Sequence, residues 1–144
     1  MKVFLKRIII QTEQNVQLIN ITDTVKEIVR ESHILNGMAL VYTLHTTTGL
    51  MINEAEPGLE KDFVEILKEL FPETIDNRFH HHYHEKDGRM AVNAWAHFRS
   101  VFVGSNLCIP IQNGKLILGG RQNIYLVEMD GPLERTIVIQ IMGE

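Results

Sequence analysis

Residues 107–142 read LCIPIQNGKLILGGRQNIYLVEMDGPLERTIVIQIM, and this stretch decides the fold class. Four apolar runs follow one another in it: Leu107 to Ile111, Leu116 to Leu118, Ile124 to Met129 and Thr136 to Met142. Each has strand length, is rich in Ile, Leu and Val, and is bounded by Gly, Asn or Pro. Asn113-Gly114 between the first two is a hairpin signal, because both residues tolerate the positive φ of a tight two-residue turn. No helical period interrupts the series.

Upstream, strands and helices alternate. Val3 to Ile10 and Val16 to Ile21 read as strands, and the short polar turn Thr12 to Asn15 predicts that they pair as a hairpin. A first helix is expected from Thr22-Asp23, with Thr24 and Glu27 at capping-box spacing. Val25, Ile28 and Val29 form its apolar stripe, and Gly37 lies where a terminating turn is expected. Met38 to His45 reads as a strand, which Leu50 to Asn53 extends after a bend at Gly49. The second helix opens at Pro57, carries Leu59, Phe63, Ile66, Leu67 and Leu70 at helical spacing, and stops at Pro72. Residues 74–88 show no period and read as a long polar loop. A third helix is expected from Met90 to Val103, with Ala94, Trp95, Phe98, Val101 and Phe102 as its apolar face and Gly104 at its end. Mixed elements followed by strands alone imply an α+β fold: one domain with a large, mainly antiparallel β-sheet or sandwich and about three helices.

The 144 residues suit one domain and bury ~70% of their unfolded surface, so neither a disulfide nor a metal is needed for folding. A formal charge of -4 argues against a general nucleic-acid binder, which needs a basic surface. It leaves room for a small anionic ligand held by local arginines. Cys108 is the one cysteine and sits in an apolar run, which suggests a buried, inert thiol. The opening residues mix Lys2, Lys6 and Arg7 into the apolar positions and lack signal-peptide character. No apolar run approaches a membrane span. A cytoplasmic protein without membrane contact is the expectation.

Six of the seven histidines lie in two segments, around His45 and from His80 to His97. Imidazole titrates near neutrality and is the commonest metal ligand. His45 closes a strand and precedes Thr46, Thr47, Thr48 and Gly49, whose hydroxyls and flexible backbone can hold a phosphate. A plain threonine-rich turn is the simpler alternative. Asn53 and Glu54 precede the second helix, where they can cap it, or where Glu54 can act as a base or a ligand. If the run from His80 to His84 is extended, His80, His82 and His84 share one side, as a metal site requires. A solvated loop is the alternative. His97 lies four residues after Asn93, so the two share a helix face. Arg121, Gln122, Glu128 and Arg135 complete the candidates, and each could equally be a surface residue on a strand.

The ordered set His45-Thr46-Thr47 with Asn53-Glu54, Glu56-Pro57-Gly58-Leu59 with Asp62, Tyr83 among histidines, Asn93-Ala94-x-Ala96-His97, Ile109-Pro110-Ile111, Gly114-x-Leu116-x-Leu118-Gly119, Gln122-x-Ile124 and Glu128-x-Asp130-Gly131-Pro132 resembles the YjbQ family. That resemblance implies a compact α+β fold assembled as a homotrimer. It implies that His45, Asn53, Glu54, the His82/His84 region and His97 line one pocket, able in some relatives to hold a metal or an anion. It also brings a weak thiamine-phosphate synthase activity. One departure stands out. Arg121 replaces the tryptophan of a Gly-Thr-Trp-Gln segment found in many relatives, so a stacking ring becomes a cation.

Two functions follow as expectations. In the first, His45, His97 and Glu54 catalyse a reaction on a small phosphorylated substrate, as a thiamine-phosphate synthase-like transferase or by metal-dependent phosphate-ester chemistry. Thr46, Thr47, Asn53, Asn93, Arg121 and Gln122 hold the ligand. In the second, a non-catalytic trimer binds a metabolite or a divalent metal (zinc, nickel or magnesium) through His82, His84, His45 and His97.

Overall fold

The computed structural model describes residues 1–73 and 79–144. Part of the expected polar loop, residues 74–78, lies outside them. Among the described residues eight strands form two antiparallel sheets. The larger has the order β1 (Lys2–Gln11), β8 (Glu134–Gly143), β3 (Gly37–Thr43), β5 (Asn106–Gln112), β6 (Lys115–Leu116). The smaller has the order β2 (Gln17–Asn20), β7 (Gln122–Glu128), β4 (Thr48–Glu54). Three helices, α1 (Thr22–Ser32), α2 (Pro57–Leu70) and α3 (Ala94–Val103), complete the described chain. None is long and apolar enough to cross a membrane.

The layers follow from side-chain parity. In the large sheet, Phe4, Ile141, Ala39 and Ile109 lie in register on one face, and they pack with α1 and with Leu50, Ile124 and Leu126 of the small sheet. The small sheet's other parity, Leu18, Met51, Tyr125 and Val127, packs against Leu67 of α2 and Ala96 of α3. β7 is thus buried on both faces, which is why Ile124 to Val127 is a continuous apolar run. Among the described residues nothing covers the outer face of the large sheet. It carries Val3, Leu5, Ile9, Met38 and Tyr42, all exposed.

Several sequence expectations are corrected. β1 and β2 do not pair: β1 runs antiparallel to β8 over ten residues and β2 pairs with β7. The turn between them crosses from one sheet to the other, because Thr12 is held by Leu133 and Glu128. β4 is a separate strand in the second sheet and does not prolong β3. The Thr24–Glu27 capping box is not formed; Asn20 Oδ1 accepts from the Thr22 amide instead. His33, in the left-handed conformation, ends α1, and Gly37 opens β3, where a Cβ would collide with the Met142 carbonyl. Cys108 is exposed, on the uncovered face. The Asn113-Gly114 turn forms as read, with φ of 52° and 71°.

The third helix is the largest correction. It begins at Ala94 and buries Ala96, Arg99 and Ser100, while Val101 is 84% and Phe102 61% exposed. Its small residues win the inward face because α3 lies directly on β4. Ser100 Oγ donates to the Thr48 carbonyl at 2.5 Å, and a Cβ on Gly49 would come 2.7 Å from Val103. Bulky side chains cannot occupy that gap.

Candidate functional site

β4 and β7 run as a ribbon with polar residues at both ends. Thr48 pairs with Glu128 at one end and Glu54 with Gln122 at the other. Six residue steps separate them, about 20 Å.

His45 stands at the Thr48 end, just after β3. Thr43 and Thr48 close the intervening turn through their hydroxyls, 2.6 Å apart. His45 Nε2 accepts the Thr136 amide at 2.8 Å, which leaves the ring proton on Nδ1. Burial lowers its pKa from 6.5, the Arg135 charge lowers it further, and Glu128 opposes. Thr47 is buried and accepts from Arg135 Nη2 at 2.9 Å, so its hydroxyl serves the scaffold. Thr46 is exposed.

Glu128 and Arg135 are therefore no surface residues. Their exposures are 0% and 4%, and Arg135 Nε donates to Glu128 Oε2 at 2.7 Å. Glu128 also accepts from the Thr12 hydroxyl and from the amides of Met129 and Asp130. Burial raises its pKa, but the Arg135 hydrogen bonds, the Asp130 amide and Thr12 outweigh this, and the net shift is downward. Asp130 in turn accepts from Asn93 Nδ2 at 2.7 Å. Asn93 is the N-cap of α3, so this contact positions the helix that carries His97.

His97 is in the first turn of α3. Burial lowers its pKa from 6.5, the His81 charge adds to this, and Asp130 opposes. Its Nε2 is buried with no hydrogen-bond partner, as are His81 Nε2 and Asn93 Oδ1. The His81 ring meets His97 edge to face at 4.9 Å and His84 at 5.3 Å. His45 and His97 together line a cavity of about 520 Å³, with Tyr42, Leu44, Thr46, Ser100, Val101 and Ser105.

The expected metal set of His82, His84, His45 and His97 does not converge. His81, not His82, joins His84 and His97. The segment is no extended strand: it holds one bridge, Tyr83 to Met90, and then turns, with the Asp87 and Gly88 amides on the His84 carbonyl. Among the described residues no three His, Cys, Asp or Glu side chains are arranged to hold a metal.

Asn53, Glu54, Arg121 and Gln122 lie at the other end of the ribbon. Arg121 pairs with Glu54 at 3.6 Å in an exposed ion pair. Gln122 accepts the Gly119 amide and Asn53 that of Glu54. Within one chain they do not share the His45–His97 cavity, which corrects the expectation of one pocket. Sequence reading missed Tyr42, His81, Ser100 and Ser105. Ser100 carried a signal, since it follows Ala96 by four residues and shares its helix face, and His81 lay in the histidine run but was passed over for its alternate neighbours.

Comparison with known proteins agrees with the ordered motifs. The UPF0047 protein YjbQ-like family matches residues 6–144. UPF0047 protein YugU of Bacillus subtilis (strain 168) is 39% identical over 140 residues, covering 96% of this chain and 99% of that one. A UPF0047 protein of Archaeoglobus fulgidus is 36% identical over 133 residues, covering 92% and 97%. The crystal structure of a YbjQ-like protein of unknown function from Sulfolobus solfataricus P2 superposes with a TM-score of 0.89 at 37% identity, covering 99% of both chains. A hypothetical protein from Aeropyrum pernix K1 gives a TM-score of 0.86 at 36% identity, covering 98% and 99%. With its motifs in order, its two sheets matched in solved relatives and nearly its full length covered, the chain belongs to the YjbQ-like UPF0047 family.

Proposed function

We propose that the protein binds a small phosphorylated metabolite between His45 and His97, that His97 exchanges protons with it, and that His45 holds it by a hydrogen bond. The observation that carries this reading is the shared cavity of about 520 Å³, a size suited to a metabolite. Both rings are biased toward the neutral form, so at neutral pH His97 offers one N–H and one lone pair, while His45, whose Nε2 lone pair is taken by the Thr136 amide, offers its Nδ1–H. His45 Nδ1–H and the Thr46 and Ser105 hydroxyls are donors for anionic oxygens. In its enzymatic form the reading is a thiamine-phosphate synthase-like transfer, in which a thiazole phosphate displaces pyrophosphate from a pyrimidine pyrophosphate. The test is untagged protein with both precursors, followed by thiamine phosphate formation and calorimetric binding. His45→Ala and His97→Ala are each expected to weaken binding about tenfold. The lowered pKa values keep both rings neutral down to pH 6.5, so turnover persists to that pH and fades only below it, whereas binding of the anion does not weaken as the rings gain charge. Unchanged binding and turnover in both variants would remove the proposal.

A second reading, non-catalytic metal binding in a trimer, is supported by two observations. His81 and His97 hold buried Nε2 atoms with no hydrogen-bond partner among the described residues, beside His84; the three rings meet edge to face, so zinc or nickel would have to reorient them to be held. Magnesium, which prefers oxygen, fits this set poorly. The chain also exposes 8702 Å² for 16.6 kDa, where a monomeric protein exposes about 7600 Å². The outer face of the large sheet and the outward Val101 and Phe102 are apolar surface that a partner chain would cover. Native mass spectrometry of untagged protein reads both points. Three chains with retained zinc or nickel supports this reading, and a bare monomer sinks it.

A further inference from the structure

At the opposite end of β3 from His45, the geometry points to a second binding site, one for a phosphate ester with an apolar body. A groove of about 330 Å³ runs between α1 and the β5–β6 hairpin, lined by Lys26, Val29, Arg30, Gly114, Lys115 and Leu116. Lys26 and Arg30 are one turn apart and project from the same side of α1. Lys115 faces them from the hairpin. No carboxylate lines the groove, and among the described residues none of the three cations has an ion-pair partner. Of the acids on α1, Glu31 is taken by Lys6 at 2.6 Å, and neither Asp23 nor Glu27 lines the groove. In a chain of net charge -4, three unpaired cations around one recess are a local reversal of the average. Their mutual repulsion is relieved by an anion, and the low-dielectric walls strengthen that attraction.

The rest of the groove says what the anion is attached to. Val29, 1% exposed, and the half-buried Leu116 supply an apolar floor. A fully hydrated inorganic ion has no use for that surface, whereas a ring or short chain bearing a phosphate covers it. The walls are also built in advance. The Gly114 amide donates to the Leu35 carbonyl at 2.9 Å, and the Asn113 amide to Asn36 Oδ1 at 3.3 Å. These bonds tie the hairpin tip to the segment that follows α1, so ligand binding does not have to order a loop. The site is separate from the histidine cavity. Gly37, paired with Ile111 beside the hairpin, and Thr43, next to the His45 turn, are six strand residues apart, about 20 Å.

The test is an amide NMR titration of the full chain with phenyl phosphate and with inorganic phosphate. Phenyl phosphate is expected to shift the amides of Val29, Arg30 and Gly114 to Leu116, and to bind more tightly than inorganic phosphate. Lys26→Glu with Arg30→Glu is expected to weaken phenyl phosphate about tenfold or more without changing the thermal midpoint. Lys115→Ala provides the same reading if the double variant folds poorly. The proposal is overturned if no shift appears by about 10 mM ligand, if the shifts centre on His45 and His97, or if the charge variants bind as the parent does. Equal affinity for both phosphates overturns the apolar half of it.

Discussion

Arg135→Ala is expected to destabilise the protein by about 3–5 kcal/mol, because it leaves the Glu128 carboxylate buried without its cation. The pair is enclosed, with exposures of 4% and 0%, and Arg135 also donates to Thr47. The loss spreads to the site: Thr47 belongs to the turn that carries His45, and Thr136, next in the chain, supplies the amide bound to His45 Nε2. Urea denaturation is the measurement, and a cost below about 1 kcal/mol would show that the pair is dispensable. Replacing both partners, Arg135→Met with Glu128→Gln, should recover part of the loss. Glutamine keeps one oxygen for the Met129 and Asp130 amides, its NH2 can donate to the Thr12 hydroxyl, and no lone charge stays buried. Acid provides an independent check. The Glu128 pKa is depressed in the folded state, so its stabilisation is complete above the ordinary carboxylate value of 4.5 and disappears as pH falls through the lowered value. Glu128→Gln should remove that part of the acid sensitivity.

Arg99→Ala should cost about 2–4 kcal/mol, the second large effect. Arg99 has no exposure, and its Nε and Nη2 both donate to the Phe71 carbonyl, at 3.1 and 2.7 Å. It thereby ties the end of α2 to the middle of α3. The variant loses a buried stem and orphans a carbonyl at once. Arg99→Lys should rescue little, because an ammonium cannot present two parallel N–H groups to one oxygen. Full rescue by lysine, measured by thermal unfolding, would mean that charge and not the fork matters. Glu73, at 3.6 Å and half exposed, is a minor partner because water screens it.

The elements of the fold were legible where a local cause sets them. Pro57 and Pro72 bracket α2, and Asn113-Gly114 marks its hairpin, because backbone chemistry at those positions allows little else. β1 and β2 were found but mispaired. Proximity along the chain favoured a hairpin, and the ten-residue register between β1 and β8 outweighed it. In α3 Ala94 and Trp95 face inward as read, but Phe98, Val101 and Phe102 turned out to lie on the outer side. Hydrophobic periodicity reports which residues share a side. It does not report whether that side meets this chain's core or another surface.

The candidate site divides in the same way. His45 and His97 were identifiable as residues placed on scaffold elements. Parity along β8 would also have placed Arg135 with Ile137, Ile139 and Ile141 on the buried face. Their convergence on one cavity, the pairing of His81 rather than His82 with His97, and the exile of Glu54 and Arg121 to the far end of the ribbon depend on how the two sheets stack. From the sequence alone came the α+β class, nearly every strand and helix, the family and the two leading histidines, because each rests on local spacing and ordered motifs. Strand partners, the inward face of α3 and the membership of the site were decided only by tertiary structure, because they depend on contacts between residues far apart in the chain.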